Sequence, residues 1–282
     1  FLLVKRDWEI SMKVYYYNED KWTESGDLWQ ALSLDARMKR LRAVRENAPY
    51  VISFTGAGGK TSLIRRLACE GRERGLKVLV VTTTHMFRPK QYGVLTRSKG
   101  DVRRMLQKES IAVVGKEAGE LKITFVGTWF YEQICPLADL VLVEADGSRR
   151  LPLKVPGVNE PVVPKNSHMV LSVLGLSALD QPAEKLCFRA EQAEEIMRAH
   201  GRPDYKDGGQ WIVRPGDVAC LMQHAYLYPI RVRYPSIPVI PVFNQADEPA
   251  QVQTVRGLLD AMGEKRGIAC GQLRFDPCVD LF

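Results

Sequence analysis

An α/β fold built on a mainly parallel sheet covered by helices is predicted by three observations. Strand-like and helical segments alternate from residue 50 onward. The runs "YVISFT", "KVLVVTTT" and "ADLVLVE" are almost continuously apolar, as strands buried on both faces are. A glycine-rich turn, "GAGGKT", leads from the first of these strands into an amphipathic helix.

The elements follow in order. Residues 25–47 have a helical pattern that Pro49 ends, so residues 1–48 read as a partly helical extension before an α/β domain over 49–282. Strand 50–55, helix 60–74 and strand 77–84 come next, then a helix over 101–108. "IAVVG" and "KITFVG", split by the turn-forming "KEAGE", read as a small edge hairpin. A short helix over 129–135 precedes strand 139–144 and a proline-punctuated loop reaching Pro164, long enough to suggest function. A strand from His168, helical stretches at 191–200 and 216–224, the proline-interrupted strand "IPVIPVF" and a helix over 249–265 complete the chain. The interval 178–235 reads as a helical subdomain with no linker at its ends.

With 282 residues, 45% of them hydrophobic, the chain can bury a real core. No apolar run approaches the roughly 20 residues that span a bilayer, and the opening FLLV is too short for a signal peptide, so a cytoplasmic protein without a membrane partner is expected. Cys69, Cys135, Cys187, Cys220, Cys270 and Cys278 form no Cys-x-x-Cys pair and are expected as reduced thiols. The net charge of +7, from 40 basic and 33 acidic residues, suits an anionic ligand. Much of it falls on solvated helix faces, and without an aromatic-rich strand or a reading motif it argues against nucleic acid.

The turn "FTGAGGKTS" has the chemistry of a phosphate loop, although Phe54 stands where such loops usually open with glycine. Gly56, Ala57, Gly58 and Gly59 would bring backbone amides close to a polyanion, and the helix from Lys60 adds its unpaired amides. Lys60 would reach the β and γ phosphates, Thr61 would ligate Mg²⁺, and Ser62 extends the cradle. An acid at the end of a neighbouring strand completes such a site. "LVLVEADGS" offers Glu144, with Asp146 as the competing acid, and the amide of Gly147 to face a γ phosphate. Asn244, Gln245 and Asp247 follow a late strand in the manner of guanine-reading Asn-Lys-x-Asp loops, since a carboxylate accepts from both N1–H and the exocyclic amine of guanine. GTP is therefore expected ahead of ATP. Thr84 and His85 leave the second strand at its carboxyl end, where ligands of open sheets collect. Arg149, Arg150 and Lys154 in "GSRRLPLK" suit an anionic second substrate or a partner.

"GAGGKTSL", "VTTTHM" and "LVEADGSRRLPLKVPGVNEPVVP", in this order and spacing, resemble the selenium-dependent hydroxylase accessory proteins of the YqeC family. The resemblance covers about residues 28–261 and implies a P-loop NTPase-type domain acting in maturation of selenium-dependent molybdenum hydroxylases or their cofactor. More distantly, Glu-x-x-Gly after a strand is similar to metallochaperone GTPases, which favours Glu144 over Asp146 on the magnesium side and admits a homodimer with nucleotide near its interface. The expected function is thus a Mg²⁺-dependent nucleotide-binding protein, a GTPase by preference. A small-molecule kinase or nucleotidyltransferase and a non-catalytic, nucleotide-controlled scaffold are the two rival readings.

Overall fold

A computed structural model describes residues 12–18, 21–201, 206 and 208–273; Cys278 and the opening FLLV lie outside them. The chain begins with strands β1 (Val14–Asn18) and β2 (Lys21–Ser25) and helices α1 (Leu28–Ala31) and α2 (Leu34–Val44). Then come β3 (Tyr50–Gly56), α3 (Lys60–Glu73), β4 (Val78–Thr82), β5 (His85–Phe87), β6 (Gly93–Val94), α4 (Lys99–Glu109) and β7 (Ile111–Val114). β8 (Lys116–Glu117), β9 (Lys122–Thr124), α5 (Thr128–Ile134), β10 (Leu140–Glu144), β11 (Leu153–Lys154) and β12 (Met169–Gly175) follow. The last part holds α6 (Ala183–Leu186), β13 (Cys187–Phe188), α7 (Ala190–His200), α8 (Pro215–Leu221), a π-helical turn (Met222–Leu227), α9 (Tyr228–Arg233), β14 (Val239–Asn244), α10 (Pro249–Met262) and β15 (Arg266–Cys270).

One sheet of ten strands runs in the order β2-β1-β15-β14-β12-β3-β10-β4-β7-β6. Every neighbouring pair from β15 to β6 is parallel, while β1 pairs antiparallel with both β15 and β2. Alternate residues of the central strands feed two faces, because side chains alternate across a strand. Tyr50, Ile52 and Phe54 of β3 join Leu63, Ile64 and Leu67 of α3 on one face. On the other, Val51, Val141 and Val143 pack with α4 and α5, and Val170 and Leu174 pack with the helices from α7 to α10. The result is a three-layer arrangement with β3 and β10 adjacent at its centre. Among the described residues no helix is long and apolar enough to cross a membrane.

Three expectations are revised. Besides its two helices, the N-terminal segment supplies β1 and β2 to the main sheet, and buried Glu70 of α3 accepts from the amides of Leu28 and Trp29, fastening α1 to the core. "IAVV" is no hairpin arm: as β7 it is buried on both faces and pairs in parallel with β4, so the small edge hairpin is β8 with β9, joined by β5. Cys69 is disulfide-bonded, whereas Cys135, Cys187, Cys220 and Cys270 are free and buried. The described residues of 178–235 hold α6 to α9, the π-helical turn and the short strand β13, and they pack onto the same core as β12 and β14.

Candidate nucleotide and anion site

Phe54 is a strand residue whose side chain is fully buried among the α3-facing apolar groups, so it never meets the turn's interior. The turn opens two residues later, at Gly56, the last residue of β3. Its φ of 97° is one that side chains avoid, and a Cβ there would come within 2.1 Å of the Val173 carbonyl. Gly59, at φ 119°, caps α3 without any side-chain acceptor. The first-turn amides of α3 therefore keep both their unfilled donors and the positive dipole end.

Three of the loop's amides are already taken, which narrows the expected cradle. Gly56 N–H donates to both oxygens of Asp146 (3.1 and 3.0 Å), Ala57 N–H to the Val173 carbonyl (2.8 Å) and Gly58 N–H to the Leu151 carbonyl (3.0 Å). The segment after Gly147 thus lies against the turn, and Gly59, Lys60, Thr61 and Ser62 are left to face a ligand. Asn244 donates from Nδ2 to the Gly58 carbonyl at 2.7 Å and so ties β14 to the turn.

Lys60 and Asp146 are buried, 2% and 0% exposed, and lie 3.1 Å apart; Lys60 Nζ also donates to the Gly56 carbonyl. Lys154 meets the other Asp146 oxygen at 3.1 Å and Glu160 at 2.9 Å, and Arg189 reaches Glu160 at 2.8 Å. Alternating charges therefore run from Lys60 to Arg189. Lys154 is 0% exposed, which corrects its expected place among residues that touch a second substrate: it is an internal counter-ion. Burial pushes Glu160 up, but the Gly157 amide, Lys154 and Arg189 outweigh it and bring its pKa from 4.5 down to about 2. Glu160 and Arg189 were not singled out from the sequence: Glu160 lies within the "VPGVNEPVVP" stretch, but nothing in that stretch signals that Lys154 and Arg189 converge on it.

Glu144 closes β10 beside β3, and Thr61 Oγ1 donates to its Oε2 at 3.0 Å. Burial raises the Glu144 carboxyl above its ordinary value, neighbouring Asp146 adds to the rise, and Lys60, Thr61 and Lys154 oppose it. A threonine hydroxyl and a carboxylate are hard oxygen donors of the kind Mg²⁺ takes while keeping several waters. Among the described residues no cluster of three or more His, Cys, Asp and Glu side chains could hold a metal ion by itself.

These groups open into a cavity of about 1470 Å³, lined by Gly58 to Ser62, Glu144, Gly147, Thr84, His85, Arg149, Arg150 and Gln245 among others. Gln245 Oε1 accepts from the Ser177 amide at 3.3 Å. Asp247 lies apart from that lining, with Oδ1 accepting from the Gln272 amide at 2.7 Å.

Strand, glycine turn, Lys-Thr helix start and an acid closing the adjacent parallel strand define a P-loop-type α/β protein. Residues 52–191 match the family described as YqeC protein. Through this region the chain belongs to the YqeC family. It is 35% identical to "Uncharacterized protein YqeC" of Escherichia coli (strain K12) over 136 residues, covering 46% of this chain and 53%, about half, of that relative's length. Solved structures give looser likenesses. HypB from Helicobacter pylori in complex with nickel has 14% identity and a TM-score of 0.29, covering 81% of this chain and 94% of that one. The hydrogenase maturation factor HypB from Archaeoglobus fulgidus has 16% and 0.30, covering 82% and 96%. The signal recognition particle receptor FtsY from Elizabethkingia anophelis has 15% and 0.33, covering 93% and 71%.

Proposed function

We propose that the chain binds a nucleoside triphosphate with Mg²⁺ at the start of α3 and hydrolyses it, with guanine preferred, as a cytoplasmic accessory protein for selenium-dependent molybdenum hydroxylases. The observation that carries this reading is the contact between Thr61 and Glu144 beside the uncapped α3 N-terminus and Lys60. The amides of residues 59–62 would hold phosphate oxygens, and Lys60 would turn from Gly56 and Asp146 to neutralise them. Thr61 and Glu144 would hold the Mg²⁺ with its waters, and the ion supplies charge neutralisation at the phosphates. Glu144 would hold it as a carboxylate, the positive charge offsetting the burial that raises this carboxyl above its ordinary value. Asn244 keeps the turn in shape, while Asp247 would exchange the Gln272 amide for the guanine edge. The selenium and molybdenum assignment draws on family membership.

The test is calorimetry of the purified chain against the four nucleoside triphosphates, with and without Mg²⁺. Binding should require Mg²⁺ and fall at least a hundredfold in Lys60→Ala, while Asp247→Asn should weaken GTP more than ATP. Equal loss for both nucleotides removes the guanine preference, and no binding of any nucleotide overturns the reading. Phosphate release is then followed with and without the hydroxylase, and light scattering with and without nucleotide tests pairing of two copies. Transfer to an acceptor with no free phosphate would identify a kinase or transferase instead. Tight binding without turnover, even beside the hydroxylase, would identify a scaffold.

A further inference from the structure

The cavity, at about 1470 Å³, is larger than the roughly 300–1,000 Å³ of a pocket for one small ligand. Its lining extends from the α3 N-terminus to β5, β9 and the turn after Gly147, where Arg149, Arg150 and Lys122 contribute cations. Arg149 and Arg150 both have left-handed backbone, with φ of 52° and 63°. Consecutive non-glycine residues in that region are uncommon, and such strain gathers at ligand sites. The two side chains lie on different aromatic rings of the wall. Arg149 lies 4.4 Å from the Phe188 ring centroid and Arg150 4.2 Å from that of Phe87.

Among the described residues neither Arg149 nor Arg150 is paired with a carboxylate, whereas Arg88 is held by Glu117 at 2.9 Å and Arg189 by Glu160 at 2.8 Å. A guanidinium lying on a ring keeps its edge N–H donors for a second partner. Thr84 Oγ1, buried with no hydrogen-bond partner, belongs to a residue of the same lining. The turn itself is fastened to the phosphate loop through the Leu151 carbonyl, which accepts from Gly58 at 3.0 Å, and to the end of β12 through the Pro152 carbonyl, which accepts from Gly175 at 2.9 Å.

We propose that Arg149 and Arg150 form a second anion subsite, which holds the phosphate group of a small phosphorylated molecule in the same cavity as the nucleotide. Two unpaired guanidiniums and a lysine call for a dianion, and a phosphate monoester carries about −1.5 to −2 at neutral pH where a carboxylate carries one charge. This deepens the nucleotide reading and rests on it for the second ligand's purpose, but not for the subsite's existence.

The probe is pyrophosphate, titrated by calorimetry into Lys60→Ala and into wild-type protein saturated with a non-hydrolysable GTP analogue. The second arm covers the case in which loss of the buried Lys60 prevents folding. Pyrophosphate should still bind in both, and Arg149→Ala with Arg150→Ala should weaken it at least tenfold in both, while the double lysine variant restores part of the loss. Pyrophosphate binding that vanishes without Lys60 and under the analogue, or that changes less than twofold without the arginines, overturns the subsite. If wild-type protein binds no nucleotide yet binds pyrophosphate through these arginines, the nucleotide reading fails and the subsite stands.

Discussion

Asp146 has no solvent exposure, yet it answers two lysines and a backbone amide. Removing its charge would take from buried Lys60 the carboxylate it pairs with and leave the Gly56 carbonyl to accept from it. Breaking a buried pair in this way costs about 3–5 kcal/mol. Asp146→Asn should therefore lose stability on that order in urea denaturation, where Arg149→Ala, at an exposed residue, should lose almost none. Glu160 gives a pH signature. Its carboxyl falls from 4.5 to about 2 on folding, so its contribution is complete above the ordinary value and disappears as pH falls toward 2. Glu160→Gln should accordingly be less stable than wild type near neutral pH, and the difference in denaturation midpoint should shrink through that acid window. Lys60, Thr61 and Glu144 were legible because each sits at a fixed offset within a motif. Glu160 was not, since Lys154 and Arg189 reach it from separate segments, and Lys154 was misplaced because a lysine in a loop gives no sign of full burial.

The glycine turn shows the same logic at the scale of an element. Gly58 has φ of 74°, and a Cβ on it would lie 2.2 Å from the Gly175 nitrogen and 2.4 Å from its α-carbon. Both obstacles are backbone, so neither can swing away. Gly58→Ala should cost about 2–4 kcal/mol and shift the thermal midpoint down by several degrees, whereas Gly216→Ala, with open space around it, should not. The turn could be read from sequence because glycine spacing reports backbone conformation directly. What escaped was which amides remain open, since the acceptors on Gly56, Ala57 and Gly58 come from Asp146, Val173 and Leu151. "IAVV" was misread for a related reason. Four buried apolar residues fit an interior parallel strand or a hairpin arm equally, and only pairing with β4 decides between them.

For the molecule as a whole, the alternation of strands and helices carried the parallel centre, where period and composition agree. The edge was harder to read. β15 is short and β1 and β2 are polar in part, so their membership in the sheet depends on one another across the length of the chain. A chain beginning at Asp27 should leave β15 unpaired on one side and strip Val14 and Tyr17 from the core, losing about 3 kcal/mol or more and eluting as larger species in size-exclusion chromatography. The hold of Asp146 and the Gly56 carbonyl on Lys60 has a kinetic corollary. An incoming polyanion that draws on this ammonium must wait for those two partners to let go. In stopped-flow mixing the observed rate should then climb with ligand and level off at the speed of that release, rather than rise in proportion without limit.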